Sequence, residues 1–189
     1  MYAKLEKAQP RALRIIENSI KMKRLSHAYL FTGPKGTYKK EMAIHFAMML
    51  YCKEDRPCYK CSDCMAISEN RHMNVYYIEP IGQTIRKEQI IALQDEFSKT
   101  SLLEGPRIYI INGADTMSVS AANSLLKFIE EPDSNIKAIF TAVLAVSFKV
   151  ALTFSFFIGL ASEKISKTSF QSSLISNALI QKSQTVPLS

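Results

Sequence analysis

Residues 28–40 read Ala28-Tyr29-Leu30-Phe31-Thr32-Gly33-Pro34-Lys35-Gly36-Thr37-Tyr38-Lys39-Lys40. A short apolar run with the character of a buried strand ends at Gly33. Beyond the lysines, Met42, Ala43, Phe46, Ala47 and Leu50 recur at helical spacing. Strand, glycine loop and helix in this order are the setting of a phosphate-binding loop, whose working pattern is G-x-x-x-x-G-K-[ST]. Gly33 and Lys39 fit that pattern. Tyr38 stands in place of the second glycine, and Lys40 in place of the hydroxyl residue.

Each departure has a physical meaning. Glycine lets the backbone wrap closely around phosphate, whereas tyrosine adds bulk and resists unusual dihedrals. The missing hydroxyl is a Mg²⁺ ligand. A charged lysine cannot ligate Mg²⁺ and brings a second cation to the metal position. The candidate phosphate contacts are therefore Gly33, Gly36 and Lys39, in a degenerate loop that can still face an anion at a helix N-terminus. Productive Mg²⁺-ATP binding is not expected.

Outward from the loop, helices and strands alternate. Pro10 suits the first turn of a helix that continues through Leu13, Ile16 and Ile20. Arg11, Arg14, Lys21, Lys23 and Arg24 make this segment basic, as a solvated helix face. Residues 74–78 and 107–111 are β-rich, and Ile90, Leu93 and Phe97 mark one face of a helix between them. Gly105-Pro106 signals a turn. A helix is expected over residues 121–131, capped at Ser118 or Ser120 and stopped by Pro132. A fourth strand begins at 136–141. The pattern implies an α/β fold with a parallel sheet covered on both faces, and ligands at the carboxyl ends of its strands.

The third strand repeats the message of the loop. Working P-loop ATPases end this strand with acids for Mg²⁺ and water. Here it ends Ile111-Asn112-Gly113-Ala114-Asp115. Asn112 is neutral, Gly113 has no side chain, and Asp115 lies farther on, where it serves the turn. Two separate sites lack ATPase chemistry, so no catalytic residue is expected.

Cys52, Cys58, Cys61 and Cys64 are the four cysteines of the chain. Four thiolates complete a tetrahedral Zn²⁺ shell with no open position, which makes a structural site. Lys53, Arg56 and Lys60 favour thiolates nearby. His72 is a spare ligand, expected at the surface. Cysteines clustered in this way, without a signal segment at residues 1–10, read as metal binding in the cytoplasm. The chain has 189 residues and a net charge of +7. That length allows one full α/β domain or one domain with an appendage, and that charge permits an acidic or nucleic-acid partner.

Three stretches together resemble the delta-prime subunits of the bacterial DNA polymerase III clamp loader. They are residues 26–36, the four-cysteine insertion after the loop helix, and Ala121-Ala122-Asn123-Ser124-Leu125-Leu126-Lys127-Phe128-Ile129-Glu130-Glu131-Pro132. The related gamma/tau subunits keep a working loop, so Tyr38, Lys40, Asn112 and Gly113 point to delta-prime. The resemblance implies an AAA+ P-loop fold with a small inserted four-cysteine zinc module at about 52–64. It implies a non-catalytic, stator-like subunit of a DNA polymerase, assembled with gamma/tau and delta. Through that complex it would act on the sliding clamp and primed DNA. The family also offers a neighbour an arginine from a Ser-Arg-Cys motif.

The resemblance covers residues 1–141 and then ends. No arginine follows Arg107, so the tail cannot supply that finger. Residues 138–161 are nearly all apolar, broken by Lys149, and 162–189 are rich in Ser, Gln and Lys. Lys149 at the centre of a membrane span would cost about 2.5–3.5 kcal/mol, so membrane insertion is not expected. Residues 142–189 are instead expected to be an irregular, unmatched tail, produced by a reading-frame change or a truncated gene. On the residues alone two other classes stay open: an active gamma/tau-type ATPase, and a membrane-anchored or zinc-dependent DNA-binding module.

Overall fold

The computed structural model describes residues 2–99, 103–130 and 135–143. Two N-terminal helices, α1 (Tyr2–Ala8) and α2 (Pro10–Lys21), precede β1 (Ala28–Thr32). The loop helix is α3 (Lys39–Tyr51), followed by α4 (Ser62–Ser68), β2 (Val75–Ile78) and α5 (Lys87–Ser98). Next come β3 (Arg107–Asn112), a 3₁₀ turn (Ala114–Thr116), α6 (Val119–Glu130) and β4 (Ile136–Ala142). The four strands are all parallel, in the order β1-β4-β3-β2.

Alternation along β3 explains why both faces of the sheet are covered. Ile108 and Ile110 point to one side, Tyr109 and Ile111 to the other, and all four are buried. On the first side, with Ile139 and Val75, they meet α1–α4 through Leu5, Leu13, Phe46, Ala47 and Ile67. On the second side Tyr109, Ile111 and Phe140 meet α5 and α6 through Leu93, Phe97 and Leu125. Register pairs Ile110 with Ile139 and Ile111 with Phe140, so large side chains lie beside each other across the ladder.

Arg107 links the two layers of this second face. Its Nη1 donates to the carbonyls of Phe97 (2.7 Å) and Lys99 (2.8 Å), and its Nη2 donates to that of Glu96 (2.7 Å). The guanidinium carbon lies 4.4 Å from the Phe97 ring centroid. A cation on a neighbouring strand thereby donates to the carbonyls at the end of α5, of which that of Glu96 also accepts from the Lys99 N–H at 3.3 Å.

The expected helices and strands within the described residues fall where the pattern placed them, with two refinements. Ser118 is the residue that caps α6, accepting from the Ala121 N–H at 3.2 Å. Helices α1 and α4 were not foreseen. Glu131 and Pro132, the apolar run past 143 and the tail to 189 lie outside the described residues. No helix among the described residues is long and apolar enough to cross a membrane.

Candidate functional site

The carboxyl ends of β1, β3 and β4 converge on a cleft of about 450 Å³. Lys35, Gly36, Tyr38, Lys39 and Lys40 line it from the loop, and Asn112, Gly113 and Thr141 from the strands. Lys39 is folded onto its own loop. Its Nζ donates to the carbonyls of Gly33 (2.9 Å) and Pro34 (2.7 Å) and approaches Thr37 Oγ1 (3.3 Å). Burial lowers its pKa, while Asp115 and Glu41 oppose that shift. Gly36, at φ +83°, makes the turn that no side chain would tolerate easily.

Tyr38 corrects one expectation. Tyrosine is expected to resist unusual dihedrals, yet it takes a left-handed conformation, at φ 59° and ψ 31°. A left-handed conformation costs a non-glycine residue about 1–2 kcal/mol.

Lys40 turns toward the end of β2. Its Nζ lies 2.7 Å from Glu79 Oε1, just past the end of β2, and 5.0 Å from the Tyr77 ring centroid. The same carboxylate oxygen accepts from Tyr77 Oη (3.0 Å) and Asn112 Nδ2 (3.0 Å). Asn112 Oδ1 in turn accepts from Thr141 Oγ1 at 2.6 Å, and Thr141 Oγ1 accepts from the Gly113 N–H at 3.1 Å. Desolvation pushes the Glu79 carboxyl up, but the hydrogen bonds from Lys40, Tyr77 and Asn112 outweigh it and hold its pKa below the usual range. A chain of direct contacts thus joins the first turn of α3 to the ends of β2, β3 and β4. Asp115 Oδ1 accepts from the Val143 N–H at 3.3 Å, tying the 3₁₀ turn to the end of β4.

A second cluster lies beyond α3. The sulfur atoms of Cys52, Cys58, Cys61 and Cys64 all lie within 4.8 Å of one another. Each of three sulfurs receives a backbone N–H. Cys58 donates to Cys52 Sγ (3.4 Å), Cys61 to Cys58 Sγ (3.3 Å) and Cys64 to Cys61 Sγ (3.4 Å). Such donors stabilise thiolates, and donors from Lys60 and Cys61 bring Cys58 down to about 6. Burial pushes Cys64 up to about 12 in the absence of a cation. Four converging sulfurs with N–H donors fit a closed tetrahedral metal shell, whose sulfurs would lie about 3.8 Å apart at the usual Zn–S distance. Cys61 also starts α4, its sulfur acting as the cap.

His72 does not join the cluster, and it is not a surface residue. It is 7% exposed, packs on Tyr51 with ring centroids 4.3 Å apart, and accepts from the Asn74 N–H at 3.2 Å. The histidine beside the module is His45 of α3, which sequence reasoning missed. Its Nδ1 lies 2.5 Å from Tyr59 Oη, between two of the cysteines in sequence, and burial lowers its pKa to about 4. A helical histidine on an apolar face carries no mark in sequence that tells a link from core filling.

The family model described as DNA polymerase III, delta subunit matches residues 8–146. The chain belongs to the DNA polymerase III delta-prime family. It is 44% identical to the delta-prime subunit of Bacillus subtilis over 140 residues, 73% of this chain and 43% of that protein. It is 33% identical to the delta-prime subunit of Pseudomonas aeruginosa, over 58% of this chain and 35% of that protein. It is also 30% identical to the tau subunit of Bacillus subtilis, over 77% of this chain and 26% of that protein. A solved gamma-subunit-related protein of Thermotoga maritima matches with a TM-score of 0.48 at 19% identity, covering 68% of this chain and 39% of that one. The delta-prime family chain therefore spans less than half the length of these relatives.

Proposed function

We propose that this chain acts as a non-catalytic, stator-like clamp-loader subunit in DNA replication. Residues 1–141 form its AAA+ unit. Its partners on this reading are gamma/tau and delta subunits, and through them the sliding clamp and primed DNA. The observation that carries the non-catalytic part is Lys40. It stands at the sequence position of the metal-binding hydroxyl residue, and its ammonium is held by Glu79, which also binds Asn112. A site with a lysine there, and no carboxylate at 112 or 113, lacks the groups that hold Mg²⁺ and polarise water in working P-loop ATPases. Gly33, Gly36 and Lys39 then keep the loop's shape and do not serve turnover.

On the same reading, Cys52, Cys58, Cys61 and Cys64 hold a structural Zn²⁺. The metal would supply folding energy and no chemistry, since four thiolates leave it no open position. The donor set and the N–H contacts to sulfur support this.

Stability under Mg²⁺-ATP tests the non-catalytic assignment. A working site at 100 times its Kd would add about 2.7 kcal/mol of stability. The expected outcome is no shift in Tm and no phosphate release. Co-purification with gamma/tau and delta tests the assembly. Turnover by the isolated chain would overturn the first part, and failure to enter any complex the second.

A further inference from the structure

We infer that the outer face of α2, with the turn that follows it, binds nucleic-acid phosphates directly. This helix buries Leu13 and Ile16. Its opposite side carries Arg11, Arg14, Asn18 and Lys21, at steps that keep one face of a helix. The stripe is about 15 Å long at 1.5 Å per residue. Lys23 and Arg24 extend it past the helix end, and all five cations are exposed.

The charge along this stripe is left unneutralised. None of the five cations forms an ion pair among the described residues. Glu17, the acid of α2, is three residues from Arg14 and four from Lys21, where it would pair with either. It turns inward instead. Its Oε1 lies 3.3 Å from Arg56 Nε and 3.4 Å from Tyr2 Oη, with the side chain 13% exposed.

Helix electrostatics explain some of these cations and not others. Lys21, Lys23 and Arg24 lie at the carboxyl end of α2, where the dipole favours them. Arg11 is at the amino end with Arg14 close behind, and there the dipole disfavours positive charge. No acid in the first turn offsets it. A polyanion lying along the stripe would complement both arginines and the cations beyond.

Duplex DNA offers one charge per about 1.7 Å of axis, so a straight 15 Å stripe meets several phosphates. A membrane surface fits less well, because the apolar face of α2 is already buried in the domain. The choice of nucleic acid over another polyanion rests on the clamp-loader reading.

The test is fluorescence anisotropy of the full chain with a short labelled duplex, between about 50 and 200 mM salt. Log affinity is expected to fall linearly with log salt. The variant Arg11→Ala/Arg14→Ala/Lys21→Ala is expected to reduce the steepness of that fall by about 2 to 3. A charge-matched control, Arg71→Ala/Lys87→Ala/Lys99→Ala, is expected to keep it. Thermal melts confirm that each variant folds, and Arg11→Gln/Arg14→Gln repeats the test should the triple variant melt early. The inference is overturned by no duplex binding at the lowest salt, or by equal loss in the control. It is also overturned if phosphatidylserine vesicles or polyglutamate, and not the duplex, show the stripe-dependent loss. Co-purification of the triple variant with gamma/tau and delta separates the two readings. Retained assembly with lost DNA affinity supports the stripe. A wild-type chain that binds DNA through the stripe but enters no complex defeats only the clamp-loader reading.

Discussion

Lys40 Nζ rests 2.7 Å from Glu79 Oε1, and this pair joins the phosphate-loop helix to the end of β2. Both side chains are more than two-fifths exposed, so the pair by itself contributes little, about 0–1 kcal/mol. Lys40→Ala is expected to lower stability by no more than that in urea titration. Lys40→Thr is expected not to restore ATP turnover, because Asn112 and Gly113 still lack carboxylates.

The same pair sets a pH dependence. Hydrogen bonds hold the Glu79 carboxyl below its ordinary pKa despite some desolvation. Its contribution is therefore complete above the unfolded carboxylate range and is lost as pH falls through the lower folded value. Tm measured from neutral to acid pH should drop less steeply in Glu79→Gln than in the wild type. Parallel curves would show that the network does not hold Glu79 ionised.

Tyr38 is strained, and removing the strain should show. Tyr38→Gly is expected to raise stability by about 0.5–1 kcal/mol, the left-handed strain relieved less the extra freedom of glycine when unfolded. Tyr38→Val, with a branched Cβ, is expected to lower it. Chemical denaturation with a constant m-value is the measurement.

Arg107→Ala removes three hydrogen bonds at the end of α5, where the Glu96 carbonyl keeps the Lys99 N–H as a donor, and uncovers Phe97, for an expected loss of about 2 kcal/mol. Arg107→Lys is expected to recover less than half of it, since a point charge cannot span three acceptors. The role also fixes Arg107 within this domain, so the last arginine of the chain is not free to reach a neighbour.

Removing the metal should unfold the module before the sheet. Zinc analysis is expected to give one ion per chain, and a chelator to lower Tm. Cys61→Ser loses both a ligand and the cap of α4, and is expected to bind zinc at least ten-fold more weakly. Zinc content near zero in protein prepared without chelator would contradict the structural metal.

Legibility in sequence followed the strength of each local pattern. The four strands announced themselves through β-branched and aromatic runs, and the glycine loop at residues 33–40 marked the carboxyl end of β1. Tyr38, Lys40, Asn112 and Gly113 were readable because a motif defines what should stand there. The partnership of Lys40 with Glu79 was not, since 39 residues separate them and only the sheet brings them together. Helix α4 was hidden because its cap is a cysteine, a residue read first as a ligand. His72 was misjudged for a related reason: its neighbours Arg71 and Asn70 are polar and exposed, while its burial comes from Tyr51, far away in sequence.

Arg56 has a wider consequence than its single ion pair. It belongs to the cysteine module, yet it rests against Glu17 of α2 and 5.0 Å from the ring of Tyr2 in α1. The module is thus a prop beneath helices that hold none of its sulfurs. Arg56 and Tyr2 together hold the Glu17 carboxylate turned inward, away from Arg14 and Lys21 on the outer side of the same helix. The unopposed charge on the outer face of α2 is thus owed in part to a residue that lies between two cysteines of another segment.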